Sequence, residues 1–258
     1  METVSHHGRR TAYESTDRGG DGPRICCVHG SGSSRDLWRF QRELGAENPI
    51  VALDLSGHGD STDIDATTGY PTLSAYVDDL LAVVERTDAR ILLGSSLGGA
   101  VVVHAFLERE FEPDGVVLTG TGARMGVLDD LLQWLETDFD RAVEFLHQPG
   151  RLFADPEPTL RERSIETMYD CGQAVTYRDF RTCHAFDVRD RLGEIDVPVL
   201  AVYGEHDPLT PPWYHEFLAT EIPDAQAVEI SDAGHLSMLE RPDAFNEAIT
   251  TFLRTLED

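Results

Sequence analysis

A chain of 258 residues with 41% hydrophobic residues is long enough to form one large core. It carries 47 acidic side chains against 21 basic ones, all of them arginine, for a formal net charge of −26. So large a negative charge disfavours binding to nucleic acid or to an anionic membrane surface. Because concentrated salt screens the repulsion between these charges, we expect a salt-adapted, halophilic protein.

The beginning of the chain is polar and lacks the apolar run of a signal peptide. Nowhere do 18 apolar residues follow one another, so no membrane span is expected. These features favour a cytoplasmic protein that acts on a small molecule, with the choice between monomer and homodimer left open. The four cysteines are expected to be buried, reduced thiols, and no metal-site spacing is present, so no metal or cofactor is expected.

Short apolar strands alternate with amphipathic helices along most of the chain. Residues 3–16 are predicted to form an antiparallel pair at a sheet edge. Strands are predicted at Ile25–Val28, Ile50–Leu53, Ile91–Leu93, Gly115–Leu118, Val197–Tyr203 and Ala227–Ile230, and helices at Leu73–Arg86, Leu97–Arg109 and Pro242–Leu256. This alternation is typical of an α/β fold, in which helices flank both faces of a mostly parallel sheet.

One long segment interrupts the alternation. From 122 to 185 the sequence shows helical spacing only, as in the apolar repeat from Val127 to Phe139, and a loop at 148–158 divides it. We interpret 122–185 as an all-helical lid inserted into a core formed by 1–121 and 186–258. The segment is predicted to cover the ligand-binding edge of the sheet, although the need to cover apolar surface would explain the same pattern.

A candidate nucleophile lies where the strand Ile91–Leu93 runs into a helix. The pattern Gly94-x-Ser96-x-Gly98 in that position is typical of a sharp turn that exposes its serine. Ser95 carries the same hydroxyl, but the residues two positions before and after it are leucines, whereas those around Ser96 are glycines. Ser96 is therefore the predicted nucleophile, and Ser95 is predicted to line the pocket or to form a local hydrogen bond.

A serine hydroxyl needs a general base, and the base needs a group that orients it. His235 lies in the loop after the last predicted strand, and Asp207 lies in the loop after the strand before it. Loops at the carboxyl ends of parallel strands are where such sites are built. Ser96, Asp207 and His235 are thus the predicted catalytic residues; His206, in a tight turn beside Asp207, is the weaker candidate for the base.

A glycine-rich turn after the first parallel strand, HGSGSS at 29–34, is the candidate oxyanion hole. Backbone N–H groups in such a turn can face a developing negative charge. The predicted donors are the amides of Ser31 and Leu97, the latter following the nucleophile. Gly32 is the alternative to Ser31.

Together these segments resemble the lid-bearing serine esterase and hydrolase branch of the α/β-hydrolase fold superfamily. The resemblance extends from about residue 22 to 256. The segments that carry it are His29-Gly30, DLSGHGDS at 54–61, Gly94-x-Ser96-x-Gly98, GEHDPLTP at 204–211 and GHLSMLERP at 234–242. It implies the same triad, an oxyanion hole near Ser31 and Leu97, and a helical cap at about 122–185. A serine at the turn differs from the branches that attack with a carboxylate.

The sequence therefore predicts a serine hydrolase, by default a carboxylesterase acting on a small ester, whose activity falls on acidification as the base becomes protonated. A carbon–carbon bond hydrolase, an enol-lactonase, or a binding protein with residual hydrolysis would share these residues. The predicted pocket residues, besides Ser95, are aromatic side chains, for which packing in the core of the lid is the alternative. They are Trp38, Trp134, Phe139, Phe145, Tyr169 and Phe180.

Overall fold

The computed structural model describes residues 1–256, which form an eight-stranded sheet between layers of helices. The strands are β1 (Glu2–His6), β2 (Arg9–Thr16), β3 (Ile25–Val28), β4 (Ile50–Leu53), β5 (Ile91–Ser95), β6 (Gly115–Thr119), β7 (Val199–Gly204) and β8 (Ala225–Ile230). Their order in the sheet is β1-β2-β4-β3-β5-β6-β7-β8. The β1–β2 and β2–β4 pairs are antiparallel and all others are parallel. The predicted α/β class and its antiparallel edge pair are confirmed.

Within the part of the chain that the structure describes, nine α-helices connect these strands or cover the sheet. They are α1 (Tyr70–Thr87), α2 (Leu97–Glu108), α3 (Asp129–Thr137), α4 (Phe139–Leu146), α5 (Pro158–Cys171), α6 (Gln173–Ala185), α7 (Pro212–Glu221), α8 (Ser237–Glu240) and α9 (Pro242–Thr255). Short 3-10 helices lie at Arg35–Trp38, Gln41–Ala46 and Arg189–Glu194. Within residues 1–256, no helix combines the length and apolarity that crossing a membrane requires.

The junction of β5 and α2 explains the two glycines around Ser96. A Cβ atom on Gly94 would lie 2.4 Å from the carbonyl oxygen of Gly98, and one on Gly98 would lie 2.3 Å from that of Val28. Both contacts are with backbone, which cannot move aside cheaply. The pattern thus lets α2 start directly against β3 and β5.

The segment between β6 and β7 contains α3 to α6 and one isolated β-bridge, between Arg124 and Asp187. We call residues 122–185 the helical insertion. The apolar repeat from Val127 to Phe139 is not one helix, because Asp138 interrupts it with φ −152° and ψ 73° and caps α4 by accepting the Arg141 N–H at 3.3 Å.

Candidate active site

Ser96 occupies the apex of the turn between β5 and α2. Its φ is 53° and its ψ is −117°, a left-handed backbone conformation that is costly for a residue with a side chain. Its N–H donates to the Thr119 carbonyl at 2.9 Å, and Gly30 approaches so closely that a Cβ there would lie 3.0 Å from the Ser96 Cβ. This strained position holds the hydroxyl at the carboxyl edge of the sheet.

Asp207 and His235 come together from the loops that follow β7 and β8. Asp207 Oδ2 accepts a hydrogen bond from His235 Nδ1 at 2.8 Å and another from the Thr210 hydroxyl at 2.6 Å. Burial alone would raise the pKa of Asp207, but the His235 ring and the bonds from Thr210 hold that pKa below its usual value. The ionised carboxylate therefore orients His235 and leaves Nε2 for a reacting group.

Ser96 and His235 line one cavity of about 390 Å³. Among residues 1–256, no hydrogen bond joins the Ser96 hydroxyl to His235. Such contacts are often long without substrate and tighten in the reacting complex. The other candidate base, His206, is exposed beside Glu205 and does not line this cavity.

The turn after β3 provides the expected backbone donors. Within the described chain, the N–H groups of Ser31 and Leu97 donate to no other protein group. Gly32, the alternative donor, is unsuited to the role, because its N–H already donates to Asp179 Oδ2 at 3.2 Å. The geometry is therefore compatible with an oxyanion hole formed by Ser31 and Leu97.

A buried carboxylate from the helical insertion holds this turn. Asp179, on α6, accepts from Gly32, from His58 Nε2 at 2.8 Å and from the Tyr76 hydroxyl at 2.7 Å. Burial lowers the pKa of His58, but the charge of Asp179 outweighs burial and raises that pKa well above its usual value. The protonated form of His58 is therefore favoured, and in that form Nε2 donates to Asp179 and Nδ1 donates to the Ser56 carbonyl.

His29 supports the same turn from the other side. Its Nδ1 donates to the Gly30 carbonyl at 2.8 Å, and its Nε2 accepts the Leu55 N–H at 3.1 Å. Burial first, and then the charge on nearby His58, lower the pKa of His29 to about 4. A neutral His29 can both donate and accept, which this arrangement requires.

Potential ligand atoms of His58, Cys171 and Asp179 lie within 4.8 Å of one another. The sequence showed no such spacing, because the three residues are distant in the chain. Asp179 Oδ2 is already shared between His58 and Gly32, so the group forms a closed ion pair, and we assign no metal to it.

The cavity walls differ from the predicted ones. Ser95, Phe145 and Phe180 line the cavity, and the buried Ser95 hydroxyl has no hydrogen-bond partner within residues 1–256. The other four predicted pocket residues were wrong, since they pack elsewhere. Trp38 is fully buried in the core, Trp134 packs edge-on against Phe145 and under Arg141, and Phe139 packs against Tyr169, whose hydroxyl donates to Asp140.

Aliphatic side chains outnumber aromatic ones in the wall, and three arginines line it as well. One face of α5 supplies Leu160, Arg163, Ser164, Thr167 and Met168. Their spacing of i, i+3, i+4, i+7 and i+8 marks one face of a helix, a signal that a search for aromatic residues does not detect. Further apolar residues of the wall are Leu37, Met125, Leu128, Leu131, Leu209, Trp213, Leu236 and Leu239.

A model of the alpha/beta hydrolase family matches residues 27–248, which is most of the chain. The chain belongs to this family and is a hydrolase of the alpha/beta superfamily. The family and fold inferred from the five sequence segments are thereby confirmed.

Known proteins similar to this chain include esterases and an enol-lactonase. A pimeloyl-[acyl-carrier protein] methyl ester esterase of Neisseria meningitidis serogroup A is 26% identical over 249 residues, covering 91% of this chain and 78% of the relative. The 3-oxoadipate enol-lactonase 1 of Acinetobacter baylyi is 24% identical over 250 residues, with 91% and 90% covered. The structure of a thermophilic esterase superposes with a TM-score of 0.87 at 29% identity, covering 99% of this chain and 97% of the other.

Proposed function

We propose that the protein hydrolyses a small carboxylic ester through an acyl-enzyme intermediate on Ser96. The observation that carries this proposal is the hydrogen bond of 2.8 Å from His235 to a buried, ionised Asp207, in the loop that faces the strained Ser96 across one cavity. The similarity to esterases supports the same reaction class.

In the proposed reaction, His235 Nε2 takes the Ser96 proton while Oγ attacks the ester carbonyl. The N–H groups of Ser31 and Leu97 stabilise the resulting oxyanion. When the tetrahedral intermediate collapses, the C–O bond to the alcohol breaks and His235 returns its proton to the leaving oxygen. Water then attacks the acyl-enzyme with His235 again as base, releasing the carboxylic acid and restoring Ser96.

The kinetic test compares Ser96→Ala with Ser95→Ala on p-nitrophenyl esters of graded chain length. We expect Ser96→Ala to lower kcat by about 10⁴-fold or more, because the nucleophile is lost. Ser95→Ala is expected to retain most of the activity and, since it removes an unpartnered buried hydroxyl, to raise the free energy of unfolding by about 1 kcal/mol. Equal losses of activity in the two variants would contradict the assignment of the nucleophile.

Hydrolysis of an enol-lactone is the second candidate, favoured by the similarity to the Acinetobacter baylyi lactonase. The same attack would open a cyclic ester, and the alcohol would remain attached to the acyl group as an enol. A comparison of kcat/KM on a linear ester and on an enol-lactone of equal carbon number would decide between them.

A further inference from the structure

The charges on the cavity wall are the reverse of those on the whole chain. Acidic residues outnumber basic ones by 47 to 21 overall. Among the residues that line the cavity, three are arginines, Arg39, Arg151 and Arg163, and only Asp36 is acidic. We call these three residues the arginine cluster. A random sample of residues from this sequence would carry a net negative charge. The wall carries a net positive charge instead, so it attracts negatively charged groups.

Two members of the cluster share the single carboxylate. Arg163 Nη2 lies 3.0 Å from Asp36 Oδ2, and Arg39 Nη1 lies 3.7 Å from the same oxygen. Burial lowers the pKa of Arg39, Asp36 opposes that effect, and the charge of Arg163 lowers the pKa further. Two guanidinium groups around one carboxylate leave an uncompensated positive charge at this position.

Arg151 adds a third positive charge to the wall. Its guanidinium carbon lies 4.4 Å above the centre of the Phe145 ring, and within residues 1–256 no carboxylate lies within 4.0 Å of it. The next residue, Leu152, accepts the Leu236 N–H at 3.0 Å, which fixes this loop against the loop of His235. Arg151 is thus held in the wall while its donors stay available.

Apart from several serines and threonines, the remaining wall is mainly apolar, with side chains such as Leu37, Leu160 and Met168. An apolar cavity with the nucleophile and an excess of guanidinium groups fits a ligand with two polar ends joined by a short hydrocarbon chain. A planar guanidinium can bind a carboxylate through two parallel hydrogen bonds.

We propose that the arginine cluster binds a carboxylate on the substrate, so that the preferred substrate is an ester with a free carboxylate at the far end of a short methylene chain. This inference rests on the ester hydrolysis proposed above. It names the class of ester and assigns the cluster to substrate recognition and not to the chemical step.

The experiment compares monomethyl adipate with methyl hexanoate, which has the same chain length but no charge, and 6-acetoxyhexanoate, which carries the carboxylate on the alcohol side. The two charged esters show which side of the scissile bond faces the cluster. We expect one of them to have a kcat/KM at least about tenfold above that of methyl hexanoate, since it gains a charge-assisted hydrogen bond. Equal values for all three esters would overturn the proposal.

Three variants locate the effect. Arg163→Ala is expected to raise KM for the preferred charged ester about tenfold more than it raises KM for methyl hexanoate. Arg161→Ala is the matched control, because Arg161 is on the same helix but donates to the His147 carbonyl and does not line the cavity. Asp36→Asn should lower KM for the charged ester, since it removes the competing carboxylate. Equal KM changes in the Arg163 and Arg161 variants would also overturn the proposal.

Calorimetric binding of monomethyl adipate and 6-acetoxyhexanoate to Ser96→Ala protein separates this inference from the proposed function. Arg163-dependent binding of either ester without turnover by the wild-type protein would contradict ester hydrolysis and support the binding site. Turnover of all the esters with no dependence on charge would support ester hydrolysis and contradict the carboxylate-binding site.

Discussion

The two longest helices of the helical insertion line the same cavity but are attached to the molecule in different ways. Helix α6 places Asp179 and Arg178 in a buried network with His58, Tyr76 and Gly32. Helix α5 has one buried residue, Met168, which belongs to the hydrophobic core together with the partly buried Leu160 and Ile165, and its Arg163 forms a partly exposed pair with Asp36. From this difference we expect α6 to hold the turn at Ser31 and Gly32, and α5 to act mainly as cavity wall.

Of changes in these two helices, a change in the α6 network should have the larger effect. Asp179→Asn removes the charge that holds His58 and weakens the anchor of Gly32, next to the proposed oxyanion donor Ser31. We expect kcat to fall about a hundredfold with little change in KM, because a displaced donor acts on the transition state. Asp63→Asn, which removes the exposed partner of Arg178, is the control and should keep its kcat. A loss confined to KM would show that α6 only contacts the substrate.

A smaller effect, limited to substrate choice, should follow from a change in α5. Leu160→Ala removes apolar wall, so kcat/KM for esters with long acyl chains should fall about tenfold while acetyl esters are unaffected. Steady-state kinetics across a chain-length series is the measurement. If acetyl esters lost as much activity as long-chain esters, α5 would have a catalytic role and the contrast with α6 would disappear.

The α6 network should also make stability depend on pH. The raised pKa of His58 contributes stability that is complete below its unfolded value of about 6.5 and is lost as pH rises through the folded value. The lowered pKa of Asp179 contributes stability that is present above its unfolded value of about 3.9 and is lost as pH falls through the folded value. The difference in melting temperature between wild type and Asp179→Asn should therefore be largest at pH 4–6.5 and narrow towards pH 9. A constant difference would mean that the pair is not ionised.

Salt should act on the whole surface more than on this network. With a net charge of −26, the wild-type melting temperature should rise from dilute buffer to 2 M KCl. The lower melting temperature of Asp179→Asn relative to wild type should persist in 2 M KCl, because the pair of His58 and Asp179 is buried and poorly screened. No gain with salt in wild type would contradict the salt-adaptation hypothesis.

Patterns of residues close together in the sequence were sufficient to predict most strands of the sheet and the three main residues of the candidate site. The strand-turn-helix around Ser96 is recognisable because its glycines, its apolar strand and its helix are consecutive in the chain. Asp207 and His235 could be proposed for a similar reason, as each follows an apolar strand whose carboxyl end must reach the same sheet edge.

The residues that support the candidate site could not be predicted, because they are far apart in the chain. Asp179 lies 147 residues from Gly32 and 121 from His58, so no spacing connects them. The pocket predictions for Trp134 and Phe139 were wrong because both residues follow the same apolar period whether they face the cavity or the interior of the insertion. Which face of such a helix meets the cavity is decided by tertiary packing.

The central claim, that Ser96 is the nucleophile, is tested most directly by labelling with a fluorophosphonate and locating the adduct by tandem mass spectrometry. Wild-type and Ser95→Ala protein should each carry one phosphonyl group on Ser96, and Ser96→Ala protein should carry none. An adduct on Ser95, or wild-type protein that stays unlabelled while folded, would contradict the account.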